Sequence, residues 1–194
     1  MVQSDTSFES LHYDRARSMV TDDILIEELC DTDGETVAEL IRRNLAEYEE
    51  AGNVLAATWR RLENIYDHYS PEGRRFFVAR DMAKDVLIGA AGLGSLHGLP
   101  LSEGMGEIRD LVVESNYRGR GVGKRLLRRS VEMAREFGYT RLYLETTPQM
   151  ENAKKLFVRF GFRAVEHAKG EKSNAEGPRA LPSYFVLEDL VNES

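Results

Sequence analysis

Three features of this chain predict an α+β fold: a single mixed, mostly antiparallel sheet of six or seven strands flanked by about four helices. Seven short runs carry the period-two alternation or apolar clustering of strands. Four longer stretches repeat apolar residues at helical spacing. Finally, no repeat, linker or composition break divides the 194 residues, a length that fits one domain with a sizeable core. The domain is expected over residues 23–194, with residues 1–22, which lack any period, as a loosely held tail.

The elements follow in order. ILIEEL (24–29) alternates as a strand, and Asp33 stands where a helix over about 35–51 needs an N-cap, with Val37, Leu40, Ile41, Leu45 and Tyr48 on one face. After Gly52-Asn53, a second helix over about 54–69 aligns Leu55, Trp59, Leu62, Ile65, Tyr66 and Tyr69; such an aromatic stripe more often packs a core than lines a site. Pro71-Glu72-Gly73 is a turn, and the runs 74–82 and 86–96 are close enough to form a hairpin. A strand at 106–113 leads through a glycine-rich loop into a helix over about 121–137. A strand at 141–147, a helix at 151–160 closed by Gly161, and strands at 163–168 and 183–189 complete the order.

Composition excludes several classes. No apolar run approaches the roughly 18 residues of a membrane span, and the polar N-terminus lacks the apolar core of a secretory signal. A cytoplasmic protein is the expectation, and a lone cysteine, Cys30, suits a reducing compartment. A net charge of −7 argues against a general nucleic-acid binder. The charge is unevenly spread: residues 22–50 carry eleven acids against Arg42 and Arg43, whereas residues 118–135 carry seven bases against Glu132. His12, His68, His97 and His167 have no metal-ligand spacing, so no metal is expected.

The chemistry concentrates at Arg118-Gly119-Arg120-Gly121-Val122-Gly123. Alternate glycines between a strand and a helix let the backbone approach a ligand, and the helix start offers unpaired N–H groups and partial positive charge to an anion. A dinucleotide fingerprint would need glycine where Lys124 stands; a P-loop would need glycine at Arg118 and Ser or Thr at Arg125. Both fail.

What fits is [RQ]-x-x-G-x-[GA], met by Arg118, Gly121 and Gly123. IRDLVVESNYRGRGVGKRLL and LYLETTPQMENAKKLFVRFGF resemble the central strand, loop and following helix pairs of the GNAT superfamily of acetyl-CoA-dependent N-acetyltransferases, strongly over 107–162 and more weakly over 24–190. The resemblance implies acetyl-CoA as cosubstrate. The backbone of Leu111, Val112 and Val113 would pair with the pantetheine arm, and the amides of Gly119, Arg120, Gly121, Val122, Gly123 and Lys124 would cradle the pyrophosphate. Met150 and Phe157 would wall the cofactor tunnel.

Transfer to an amine calls for a base, and Glu107, fourteen residues before Gly121, matches the base position of the histone-acetylating branch. Asp110 and Glu145 are weaker candidates. Where many members carry the tyrosine acid this chain has Phe157, so water or Tyr184 on the last strand would serve. The expected reaction is direct transfer in a ternary complex to a primary amine of a small molecule. A cationic amine is expected, held between the acidic helices and the 169–182 segment. Alternatives are a protein lysine or N-terminal acetyltransferase and a non-catalytic acetyl-CoA-binding module. A homodimer is compatible with the resemblance; nucleic-acid and membrane partners are not expected.

Overall fold

The computed structural model describes residues 23–47, 61–147, 149–165 and 183–190. Outside them lie the expected tail at 1–22, the end of the first helix with Tyr48, most of the second helix including Trp59, the end of the strand at 163–168 and the segment 169–182. The strands are β1 (Ile24–Glu28), β2 (Arg75–Asp81), β3 (Val86–Ser95), β4 (Met105–Val113), β5 (Arg141–Thr146), β6 (Arg163–Val165) and β7 (Ser183–Leu187). The helices are α1 (Gly34–Ala46), α2 (Ile65–Tyr69), α3 (Val122–Glu136) and α4 (Glu151–Phe160). Among the described residues seven strands form one sheet in the order β1-β2-β3-β4-β5-β7-β6, with β4–β5 the only parallel pair. The predicted α+β class and single mixed sheet are therefore what forms.

Each face of the sheet has its own core. On one face α3 sets Val122, Leu126, Leu127, Val131 and Ala134 against Phe77, Ile88, Leu93, Ile108 and Leu144, and α4 adds Phe157. On the other, α1 and α2 press Val37, Leu40, Ile41, Ile65 and Tyr69 onto Phe76, Val78, Ala90 and Val112. Removing these side chains from water is the main favourable term in folding. Val37, Leu40 and Ile41 of the stripe that predicted α1 are buried, whereas Tyr48 lies outside the described residues.

β4 departs from regularity at one point. Ala90 pairs with Val112 and Gly92 with Arg109, so three residues of β4 span two of β3: a bulge at Asp110-Leu111. Asp110 has φ +52°, in the left-handed region that non-glycine residues rarely occupy. The extra residue puts Arg109 and Asp110 on the same face. Glu107, Arg109, Asp110 and Val112 thus face α1 and α2, while Ile108, Leu111 and Val113 pack on the α3 side.

Candidate active site

The ladder between β4 and β5 runs from Met105↔Arg141 only to Ile108↔Leu144. Beyond it β4 continues to Val113 and β5 to Thr146, so the two strands part in the middle of the sheet. Here the hydroxyls of Thr146 and Thr147 are buried with no hydrogen-bond partner among the described residues. A buried polar group without a partner is costly, which marks this as a place for a ligand bearing polar groups.

The glycine loop stands at the same end. Ser115–Tyr117 form a 3-10 turn fixed from below: the Tyr117 hydroxyl donates to Asp81 Oδ2 at 2.6 Å and accepts from Lys84 Nζ at 2.8 Å. Arg120 lies over the Tyr117 ring, 5.0 Å from its centroid. Gly119 and Gly121 have φ +79° and +82°, and an added Cβ at either would meet nothing within 4 Å. The backbone therefore turns left-handed beside open space. Gly121 caps α3 with no side-chain cap and no acid in the first turn, so among the described residues no side chain competes for the leading amides of α3. Gly123 is close-packed instead: a Cβ there would press to 3.2 Å from Leu156.

The bases near the loop do not act alike. Arg118 turns away from it, donating to the Val113 carbonyl at 2.8 Å, to Asn44 and to Glu47, so its guanidinium ties the loop to β4 and α1. Arg125 donates to the Ile24 carbonyl, and Arg129 lies near Glu28, Glu132 and Glu136. Arg120 and the exposed Lys124 are the side chains left beside the loop itself. The acidic stretch is matched in the same way: Glu27 and Asp33 pair with Arg80, Glu28 with Arg75, Glu35 with Arg42 and Glu47 with Arg118. Five of the eleven acids of residues 22–50 are thus paired, which weakens the negative field expected from the sequence.

On the opposite face of β4 the side chains are charged and partly enclosed. Glu107 is buried and accepts from Arg109 Nη2. Asp110, its side chain 4% exposed, is gripped by Arg61 Nη2 at 2.9 Å and by the Tyr69 hydroxyl at 3.1 Å. Burial pulls the Arg61 and Arg109 guanidiniums down, but Asp110 and Glu107 respectively reverse this, leaving both above the ordinary arginine value. Burial, and then the charge of Asp110, hold the Tyr69 phenol well above its usual range, so it remains a neutral donor. Glu107 pairs across to Tyr143, and Glu145 to Tyr184, so these four share one face of the sheet.

Some predicted residues meet here and others do not. Glu107, Tyr184 and Glu145 share the face, with Tyr143 as an addition. Asp110 is consumed by its clamp. Phe157 is a core residue, packed on Phe185 and Phe162 with ring centroids 5.5 and 6.2 Å away, and half-buried Met150 lies just before α4. Sequence reasoning missed Arg61 as a partner of Asp110; two adjacent charges, Arg109-Asp110, inside an apolar strand were the available sign of a bulge. Among the described residues no helix is long and apolar enough to cross a membrane.

A strand pair that parts beside a glycine loop and an uncapped helix start offers a phosphate-bearing ligand a place at the middle of the sheet. The sequence matches the acetyltransferase (GNAT) family over residues 37–162, and the chain belongs to that family. Its donor is acetyl-CoA, and the buried threonine hydroxyls and unopposed loop amides suit such a ligand. The uncharacterized N-acetyltransferase YjgM of Escherichia coli (strain K12) is 30% identical over 141 residues, 71% of this chain and 81% of that protein. A Staphylococcus aureus GNAT-family acetyltransferase structure superposes with TM-score 0.67 at 22% identity, covering 87% of this chain and 99% of that one. The Salmonella typhimurium yncA structure, a putative acetyltransferase with acetyl-CoA, does so with TM-score 0.67 at 19% identity, covering 86% and 94%.

Proposed function

We propose that this protein transfers the acetyl group of acetyl-CoA directly to the primary amine of a small molecule, with Glu107 as the base. The observation that carries this is the position of Glu107: buried, held by Arg109, one residue before the β4–β5 ladder ends. Acetyl-CoA supplies a thioester carbonyl open to a neutral amine, and a thiolate leaving group.

The chain's own residues supply the rest. The amides of Gly119 to Lys124, with Arg120 and Lys124 beside them, hold the phosphates; Arg118 holds the loop in place. The backbone of Leu111, Val112 and Val113 binds the arm where β5 has turned away, and Met150 bounds that space at the start of α4. Glu107 takes a proton from the amine, directly or through a water, and its bond to Arg109 fixes the carboxylate in place. Tyr184, on the same face, gives a proton to the departing thiolate; because a thiol pKa is near 8.5 this step needs little help.

The test is free-thiol release from acetyl-CoA over a panel of amino acids, polyamines, amino sugars and lysine-containing peptides. Turnover with small amines is the expected result. Turnover confined to peptides would make it a protein acetyltransferase. Binding of acetyl-CoA without turnover on any acceptor would make it a non-catalytic module.

A further inference from the structure

The face that carries Glu107 holds more arginine than deprotonating an amine requires. Arg109 stands two residues along the same strand, Arg61 reaches it from the helical residues 61–62 before α2, and Arg74 from just before β2. Gly94, opposite Glu107, lets the stem of Arg74 lie 3.7 Å from where its Cβ would be; Gly92, opposite Arg109, is roofed by the Tyr69 ring, which any Cβ there would strike. Two glycines of β3 thus gather three guanidiniums and two carboxylates, Glu107 and Asp110, over one patch.

The two ion pairs in that patch are unequal. Arg61 and Asp110 are joined by two hydrogen bonds and closed off. Arg109 gives only Nη2 to Glu107, and its side chain stays 26% exposed, so Nε and Nη1 have no acceptor among the described residues. Arg74 spends Nη1 on the His68 carbonyl. His68, on α2 beside them, is pushed below the ordinary histidine value, first by burial and then by Arg74, Arg61 and Arg109. Arg109 thus stands beside two further guanidiniums and has donors to spare. Residues two apart on one strand face have Cα atoms about 7 Å apart, and here the side chains touch. A ligand engaging both must carry its own two charges within a few bonds of each other.

We propose that the acceptor is an amino acid, its carboxylate held by Arg109 with support from Arg74 and its amine facing Glu107. Nη2 keeps a second N–H after bonding Glu107, and together with the N–H of Nε or Nη1 beside it this makes the two parallel donors that match a carboxylate, which a lone amine would leave unmet. The inference rests on the small-amine transfer proposed above and names its substrate class.

Matched acceptors test it: a set of amino acids, each against its amide and its decarboxylated amine, by thiol release with acetyl-CoA saturating. The acid-bearing member should lead in kcat/KM by about tenfold or more. Arg109→Gln should bring that ratio towards one, mainly through KM, and Arg109→Lys should keep part of it. Amides or plain amines that equal the acids would overturn the proposal, as would an Arg109→Gln protein that slows all three equally, since Arg109 would then act only on Glu107. If no amine releases thiol, the transfer reading has failed, and calorimetric titration of the same amino acids into CoA-loaded protein decides this one. Binding that Arg109→Gln abolishes supports it; no binding to the wild type overturns it.

Discussion

The two faces of β4 divide the work. On the α3 side Ile108, Leu111 and Val113 are apolar and join a core that also holds Phe157 and Leu144. On the α1–α2 side the same strand presents Glu107, Arg109 and Asp110 to Arg61 and Tyr69. A regular strand would have sent Arg109 and Asp110 to opposite faces. The bulge allows three consecutive polar-face positions, at 107, 109 and 110, and coincides with the end of pairing to β5. One irregularity thus joins the parting of β4 and β5, proposed here as the donor's seat, to the charged face proposed to meet the acceptor.

The clamp on Asp110 offers the largest break. Removing one member of a buried ion pair strands the other, so Asp110→Ala should cost about 3–5 kcal/mol of stability by denaturant unfolding. Asp110→Asn tolerates the left-handed backbone and should cost less. An Asp110→Ala protein as stable as the wild type would mean the bulge needs no clamp. The loop side is sharpened by Gly121→Val. A β-branched residue at φ +82° is strained, and should weaken acetyl-CoA binding by about 2 kcal/mol or more through loss of the loop's shape, with the fold retained. Calorimetric titration checks it, and an unchanged affinity would remove the loop from the donor site.

Tyr69→Phe is milder, about 1 kcal/mol for one hydrogen bond to a carboxylate that keeps Arg61. It also has a pH signature. A phenol raised by folding contributes stability that is fully present below the ordinary tyrosine value of about 10 and is lost as pH rises through the folded value. The variant should therefore lose stability less steeply in alkali than the wild type; Tyr139, also raised by burial, keeps part of the slope. Parallel alkaline curves would show that folding does not raise the Tyr69 phenol.

Much of this was legible in the sequence because it is local. The helical stripes of α1 and α3 and the alternate glycines at 119, 121 and 123 each declare themselves within a dozen residues. What was not legible depends on distant partners. Arg61 and Tyr69 reach Asp110 across 49 and 41 residues. The acids from Glu27 to Glu47 looked like an open negative field because Arg75, Arg80 and Arg118, which meet them, lie in later elements. Arg118 fits the phosphate-loop pattern by type, yet its side chain is turned to Glu47 and Asn44, a direction that no spacing encodes.

The division between faces is tested most directly by Glu107→Gln, measured for kcat and for acetyl-CoA dissociation on the same preparation. Glutamine keeps the shape and can still meet Arg109, but cannot take a proton. We predict a fall in kcat of about 10²-fold at neutral pH, a loss that shrinks at high pH as the free amine fraction grows, with the dissociation constant unmoved. A near wild-type kcat, or a loss that appears instead in acetyl-CoA affinity, would contradict the account.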